Sequence, residues 1–260
     1  MSDLVTVQGV VLSAMPIGEY DKRIVLLTRE RGKISAFASG ARRPNSPFRA
    51  AANALVFGTF DLREGRSSNY VQNVTITHQF VELAQRQPAI YYAYYFLELA
   101  DYFGREGTDE REMMNLLYLT VKALLRTDTD ERLVRCIFEL RTMAIQGYCP
   151  ELTGCASCQK EIPDMQFSPE PAADQPSFFF SQENHGILCA DCVRHTRDAR
   201  RISPGVHYTM QYIVAAPLGK LYAFTVRKEL LQELEAIVHT YVEKNTDRRF
   251  KTLDILEMVI

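Results

Sequence analysis

Hydrophobic and polar positions alternate in short runs over the first 80 residues, then shift to a longer repeat. Val5–Leu12 is rich in β-branched residues and is broken by Gly18-Glu19-Tyr20-Asp21. In Arg23–Thr28, Ile24, Leu26 and Thr28 share one face and Val25 and Leu27 the other, the period of two of a strand. Arg31-Gly32-Lys33 reads as a hairpin turn into Ile34–Ser39, whose Ile34, Ala36 and Ala38 share a face. A loop with Pro44 and Pro47 precedes Leu55–Leu62, a Gly65-Arg66-Ser67-Ser68 turn and Tyr70–Thr77. Five short strands in this length suit a small closed barrel, because closure leaves no strand edge with unpaired backbone groups. An oligonucleotide-binding (OB) barrel and an SH3-like barrel both fit, and periodicity does not separate them.

The helical period begins after residue 80. Pro88–Phe103 is apolar nearly all round, as in a helix enclosed by its own body. Met113, Leu117, Val121 and Leu124 recur at helical spacing, as do Leu133, Ile137, Leu140 and Ala144. For the second of these helices Asp128 is the expected N-cap, with Glu131 three residues on, and Gly147 the expected C-terminal cap glycine. Ser203-Pro204 reads as an N-cap followed by proline at the first helical position. Leu230, Leu234, Ile237 and Tyr241 mark a final long helix. No internal repeat is present, and only Pro169–Pro176 approaches low complexity.

Charge modifies this picture. The net formal charge of −2 hides an asymmetry: residues 1–80 carry ten Lys/Arg against six Asp/Glu, whereas 81–150 and 151–260 are each acidic by three. A basic barrel on an acidic body points to a polyanionic partner, although a merely solvated face has the same composition. No apolar run reaches the roughly 18 to 20 residues that cross a bilayer. Met1-Ser2-Asp3-Leu4 has no basic flank before an apolar run, so no secretory signal is expected and the location expected is cytoplasmic.

Four of the six cysteines form two identical knuckles, Cys155-Ala156-Ser157-Cys158 and Cys189-Ala190-Asp191-Cys192, 30 residues apart. Two intervening residues let one tight turn present both thiolates to a single ion about 2.3 Å away, so paired knuckles are the usual sign of tetrahedral zinc. Four thiolates fill the coordination sphere, so the expected cofactor is one structural zinc held by Cys155, Cys158, Cys189 and Cys192. The insert is longer than the usual spacing of about 15 to 20 residues, which predicts an irregular excursion with Pro169–Pro176 as its tip. Gly186 is read as part of a tight turn. Two redox pairs or a disulfide framework are the competing readings; neither a strand-to-helix context nor an export signal supports them. His185 and His195 lie near enough to replace a cysteine. Cys136 falls on an apolar helix face and is expected in the core, and Cys149, before Pro150, in a structural role.

Catalytic signatures are missing. There is no Gly-x-Ser-x-Gly elbow, phosphate-cradling glycine loop, dinucleotide glycine triplet or HExxH pair, and no carboxylate cluster among the strands. The protein is therefore expected not to be an enzyme.

With these motifs in place, the chain resembles the RecO recombination mediators of bacterial DNA repair over nearly its whole length. The resemblance rests on Gly18-Glu19-x-Asp21, Leu26-Leu27-Thr28, Gly32-Lys33 and Gly40-Ala41-Arg42-Arg43-Pro44. It continues in Gly147-Tyr148-x-Pro150-x-Leu152 leading into the first knuckle, Phe180-Ser181 and Gly186 before the second, and Arg248-Arg249-Phe250-Lys251-Thr252-Leu253. The long proline-containing insert departs from the family pattern. The resemblance implies an α+β multidomain fold: an N-terminal five-stranded OB-fold β-barrel, then a mainly helical domain with an inserted four-cysteine zinc segment. The expected divisions are 1–80 for the barrel, 81–149 and 201–260 for the two parts of the helical domain, and 150–200 for the zinc insertion. It also implies binding of single- and double-stranded DNA, annealing of complementary strands, and work with RecR to help RecA replace the single-strand DNA-binding protein (SSB), whose C-terminal tail such proteins bind.

The residues themselves suggest where DNA would lie. Arg23, Lys33, Arg42, Arg43 and Arg49 fall in or beside barrel strands and loops where such folds accept nucleic acid, and guanidinium groups grip phosphates regardless of sequence. Arg42 and Arg43 are foremost. Tyr20, Phe37 and Phe48 interleave with them as stacking candidates, with core packing the expected role of Phe37. The alternative function is a zinc-stabilised protein–protein adaptor without direct DNA binding, and a third is a structure-selective nuclease.

Overall fold

The computed structural model describes residues 4–66, 68–162 and 178–260. The tip expected at Pro169–Pro176, Ser67 of the expected turn and the first three residues lie outside the described residues. In chain order β1 (Leu4–Ile17), β2 (Asp21–Thr28), β3 (Gly32–Ala38), α1 (Phe48–Ala51), β4 (Val56–Glu64) and β5 (Asn69–Gln79) come first. The helices α2 (Ala89–Phe103), α3 (Arg111–Leu124) and α4 (Glu131–Ile145) follow, then short strands β6 (Phe178–Ser181), β7 (Gly186–Leu188) and β8 (Arg200–Ile202). The chain closes with α5 (Pro204–Ala215), α6 (Lys228–Asn245) and α7 (Lys251–Val259). It forms two compact units, Met1–Arg126 with Phe250–Ile260, and Thr127–Arg249.

In the first unit the strands form a closed barrel of order β1-β2-β3-β5-β4, the OB arrangement. β1 is longer than Val5–Leu12 predicts because it serves two neighbours. Leu4–Val10 pairs with β4 and Gly9–Ile17 with β2, with a register irregularity between Val11 and Ser13. The shared bend needs space: a Cβ on Gly9 would lie 2.8 Å from the Leu27 carbonyl oxygen, and one on its partner Gly58 2.5 Å from that of Thr75. Inside sit Val7, Val11, Ile24, Leu26, Ile34, Ala36, Phe60, Leu62 and Val71, each on the face the alternation assigns it. Leu27, on the opposite face, is buried as well, since its side chain lies against Gly104 just beyond α2.

α2 is enclosed as its composition predicts, burying Tyr92, Tyr95, Phe96, Leu99 and Ala100. Against it packs α7, a helix beyond the final one the periodicity marked. The Glu98 carboxylate accepts from the Thr252 amide (2.8 Å) and hydroxyl (2.6 Å), satisfying otherwise unpaired N–H groups at the start of α7. Phe250 fits edge-on between Tyr95 and Tyr102.

The second unit packs α4 on α5 and α6, with the β7-β6-β8 sheet beside them. The N-cap of α4 is Asp130, not Asp128: its carboxylate accepts from the Arg132 amide at 2.9 Å, and Glu131 starts the helix. Both aspartates can cap, and the one nearer the first buried turn prevails. Gly147 closes the helix as expected. At φ +84 it lets its own amide reach the Ala144 carbonyl and the Tyr148 amide the Met143 carbonyl, a Schellman motif. Ser203 caps α5 through the Val206 amide, with Pro204 at the first helical position.

Candidate nucleic-acid interface and metal centre

Registers around the barrel fix one row of outward side chains. Met15 pairs with Arg23, Arg23 with Phe37, Phe37 with Tyr70, Tyr70 with Arg63, and Arg63 with Leu4. Partners share a face, so these side chains form a continuous girdle. Alternation puts the row opposite the core: Met15, Arg23 and Arg63 are exposed, and Phe37 and Tyr70 half-buried. The two rings pack with centroids 5.8 Å apart, and the Arg63 guanidinium lies 5.4 Å from the centre of Tyr70. The Arg23 guanidinium donates to Ser35 Oγ at 2.7 Å, which holds it against the sheet without neutralising it.

The loops at the Asp21 end of β2 continue this surface. Asp21 accepts from the Gly40 amide (2.7 Å) and the Tyr20 carbonyl from the Arg42 amide (2.8 Å), which ties the β1–β2 turn to the segment after β3. Arg43 then lies over the Tyr20 ring at 5.1 Å, and the Arg42 guanidinium donates to the Gly18 carbonyl. Tyr20, Arg42 and Arg43 are exposed. Lys22 has its ordinary pKa lowered, first by burial and then by the charge of Arg42, and donates to the Ala52 carbonyl and Asn53. Positive charge is thus crowded here.

The structure gathers Arg23, Arg42 and Arg43 at one end of the barrel and adds Arg63 and Tyr70, which sequence reading missed. Alternation along β4 and β5 carries their signal, but only the registers bring them beside Phe37. Phe37 itself is half-buried on the outward face of β3, not in the core. Phe48, on α1, packs against the barrel interior. Arg49 is exposed and donates to the Pro44 carbonyl. Lys33 is not brought to the row: its ammonium lies 3.5 Å from the Asp101 carboxylate and donates to the Asp101 carbonyl.

In the second unit the two knuckles meet through backbone pairing. The Ile187 amide donates to the Glu151 carbonyl, the Glu151 amide to the His185 carbonyl, and the Ala156 amide to the Ile187 carbonyl, all within 2.9 Å. Gly186 owes its place to this approach and not to a tight turn, since an added Cβ would meet the Glu151 carbonyl oxygen at 2.5 Å. Glu151 Oε1 accepts from the Thr153 hydroxyl and amide and the Gly154 amide, which lowers its pKa and shapes the run into the first knuckle.

The four sulfurs of Cys155, Cys158, Cys189 and Cys192 lie within 4.8 Å of one another. Cys158 and Cys189 are 3.7 Å apart, close to the roughly 3.8 Å edge of a tetrahedron with 2.3 Å zinc–sulfur arms. Turn amides aim at the sulfurs. Burial pushes the Cys155 thiol up, but amides of Cys189, Cys158 and Ser157 outweigh it and bring the pKa down to about 6. The Cys192 and Asp191 amides lower that of Cys189. At Cys192 a bond from Ser157 lowers the pKa, but the neighbouring sulfurs outweigh it and push the thiol up to about 12. Four clustered sulfurs suit a thiophilic cation, and neither His185 nor His195 belongs to the cluster. Cys136 is fully buried in α4, where desolvation raises its pKa well above normal, and Cys149 is exposed.

No helix among the described residues is long and apolar enough to cross a membrane. Residues 1–80 match the family model "Recombination protein O N terminal" and residues 87–254 match "Recombination protein O C terminal". The chain is 29% identical over 249 residues to the DNA repair protein RecO of Pelotomaculum thermopropionicum, covering 96% of this chain and 92% of the relative. It is 28% identical over 259 residues to that of Alkaliphilus metalliredigens (98% and 100%) and 26% identical over 249 to that of Acetivibrio thermocellus (96% and 94%). With both terminal models matched in order along the chain, this protein belongs to the Recombination protein O family.

Proposed function

We propose that this protein is a DNA-binding recombination mediator in DNA repair. In this reading it anneals complementary single strands and, with RecR, helps RecA load on SSB-coated single-stranded DNA. The supporting observation is the barrel row in which Arg23 and Arg63 flank the Phe37–Tyr70 rings, continued by Tyr20, Arg42 and Arg43. OB barrels accept nucleic acid on the β2–β3 face and the adjoining loops, and cations beside aromatic faces hold phosphates and stack bases together. Arg49 lies beside this surface and is a peripheral contact; Lys33 stays in the proposal only if its pairing with Asp101 opens. The same reading gives the chain no turnover of its own.

Cys155, Cys158, Cys189 and Cys192 would hold one zinc. The ion would supply a cross-link, with no open coordination position for water.

Fluorescence anisotropy with labelled oligonucleotides across a salt series tests the DNA reading. Wild type should bind with a negative slope of log affinity against log salt, and Arg42→Glu with Arg43→Glu should weaken it at least tenfold. Flat, undetectable binding by wild type would instead favour a zinc-stabilised protein–protein adaptor.

A further inference from the structure

We infer that the second unit carries a separate nucleic-acid contact: an arginine tract just after the second knuckle that grips the phosphate backbone. Arg194, Arg197, Arg200 and Arg201 are all exposed, with exposed His195 among them. Eight consecutive residues cannot extend beyond about 28 Å, so these charges are local in any conformation. The tract holds one acid, Asp198, and it is engaged elsewhere. Asp198 accepts from Ser181 Oγ at 2.7 Å and from the Glu183 amide at 2.9 Å, pinning the tract to the β6–β7 hairpin. No ion pair joins any of the four arginines to a carboxylate among the described residues. Arg200 and Arg201 stand on β8, an outer strand of the β7-β6-β8 sheet, and Arg194 lies within the 3₁₀ turn Cys192–His195. The metal cage and the sheet thus hold the two ends of the tract.

The chemistry favours a polyphosphate over an acidic protein. Guanidinium forks match phosphate oxygens in pairs. A peptide partner needs apolar anchors as well, yet no large hydrophobic side chain is exposed among described residues 178–202. With no exposed Phe, Tyr or Trp ring in it, the tract should hold duplex and single strands alike. The inference shares with the proposed function the assumption that the ligand is nucleic acid, but uses different residues.

The test is anisotropy on the full, zinc-loaded chain with a labelled oligothymidine and a duplex of equal length. It compares wild type, Arg42→Glu with Arg43→Glu, and a variant with Arg194, Arg197, Arg200 and Arg201 all changed to Gln. The tract variant should keep its zinc and lower the steepness of the salt slope by about 3 on both probes, from 0.7 to 0.9 per phosphate. Between about 50 and 200 mM salt, wild type should therefore lose roughly sixty-fold more affinity than the variant. Arg200→Gln with Arg201→Gln alone should give half the change in slope. Loss confined to the tract variant supports the second contact and overturns the barrel reading. Loss confined to the barrel variant does the reverse. An unchanged slope overturns the inference, as does a tract variant that binds both probes normally but no longer binds polyglutamate.

Discussion

The barrel and the four-cysteine segment hold their surface elements in place in different ways. The barrel closes its sheet around Val11, Leu26, Phe60 and Val71, so its outer row rests on a packed interior that cannot shift without opening a cavity. The four-cysteine segment has only three short strands, though their Phe178, Phe180, Ile187, Leu188 and Ile202 are buried. Besides that burial, with Phe178 stacked on His207 and Phe180 edge-on to Tyr241, it is held by a cluster of four sulfurs, a few backbone bonds to Glu151 and the Asp198 clamp. Their surfaces differ as well: Phe and Tyr rings between cations on the barrel, arginines around a single histidine on the four-cysteine segment. A rigid core can support base stacking, which needs fixed planes. Phosphate contact by flexible arginines needs only local charge.

Changes that attack each scaffold at its own support should break this contrast. The largest effect is expected from Cys155→Ser. Apparent affinities of structural zinc are on the order of 10 kcal/mol, and that energy is folding energy. Elemental analysis should fall from one zinc per chain to none, and the second unit should lose its cooperative thermal transition while the barrel keeps its own. Finding metal retained would sink the cage. Next, Phe60→Ala should cost the barrel about 3 to 5 kcal/mol, read by denaturant titration, with zinc content untouched. A smaller effect is expected from Tyr70→Ala, which should weaken oligothymidine binding by about 1 to 3 kcal/mol and duplex binding hardly at all. Equal losses on the two probes would mean that Tyr70 is packing only.

The smallest effect concerns Asp198. Burial alone would raise its pKa, but the bonds from Glu183, Ser181 and Gln182 outweigh burial and lower it below the usual 3.8. A depressed carboxyl contributes stability that is present above its unfolded pKa and lost as pH falls through the folded one. Wild type minus Asp198→Asn should therefore differ by less than about 1 kcal/mol, after allowing for solvent screening. That difference should hold constant from neutral pH down to about 5 and close below 3.8. The comparison is confined to pH values at which elemental analysis finds the metal content of both chains unchanged, and there the difference should hold or shrink as pH falls. A difference that grew on acidification would refute the clamp.

Local rules account for much of what was legible. Alternation located the barrel strands because the side-chain period is independent of what the strand pairs with. Ser203-Pro204 and Gly147 marked helix ends because capping is settled within a few residues. The knuckle spacing announced two sulfur pairs because two intervening residues are a local turn, and the fold brings all four sulfurs together. Where two local solutions competed, as with Asp128 and Asp130, reading the chain alone chose the one the fold did not use.

What stayed hidden was long-range. Nothing near Phe37 in the chain says that Tyr70 and Arg63 will stand beside it, since registers between distant strands decide that. Lys33 has the same local character as Arg23, but α2 supplies Asp101 to one and nothing of the kind to the other. Phe250 and α7 join the first unit after 123 residues of the second, Thr127–Arg249. From its sequence alone, then, the protein's periods, most helix caps and the cysteine knuckles are determined, because these depend on neighbours a few bonds away. Which outward side chains stand together, and which cations are neutralised, is decided only by tertiary structure, because those energies depend on groups that only folding brings within reach.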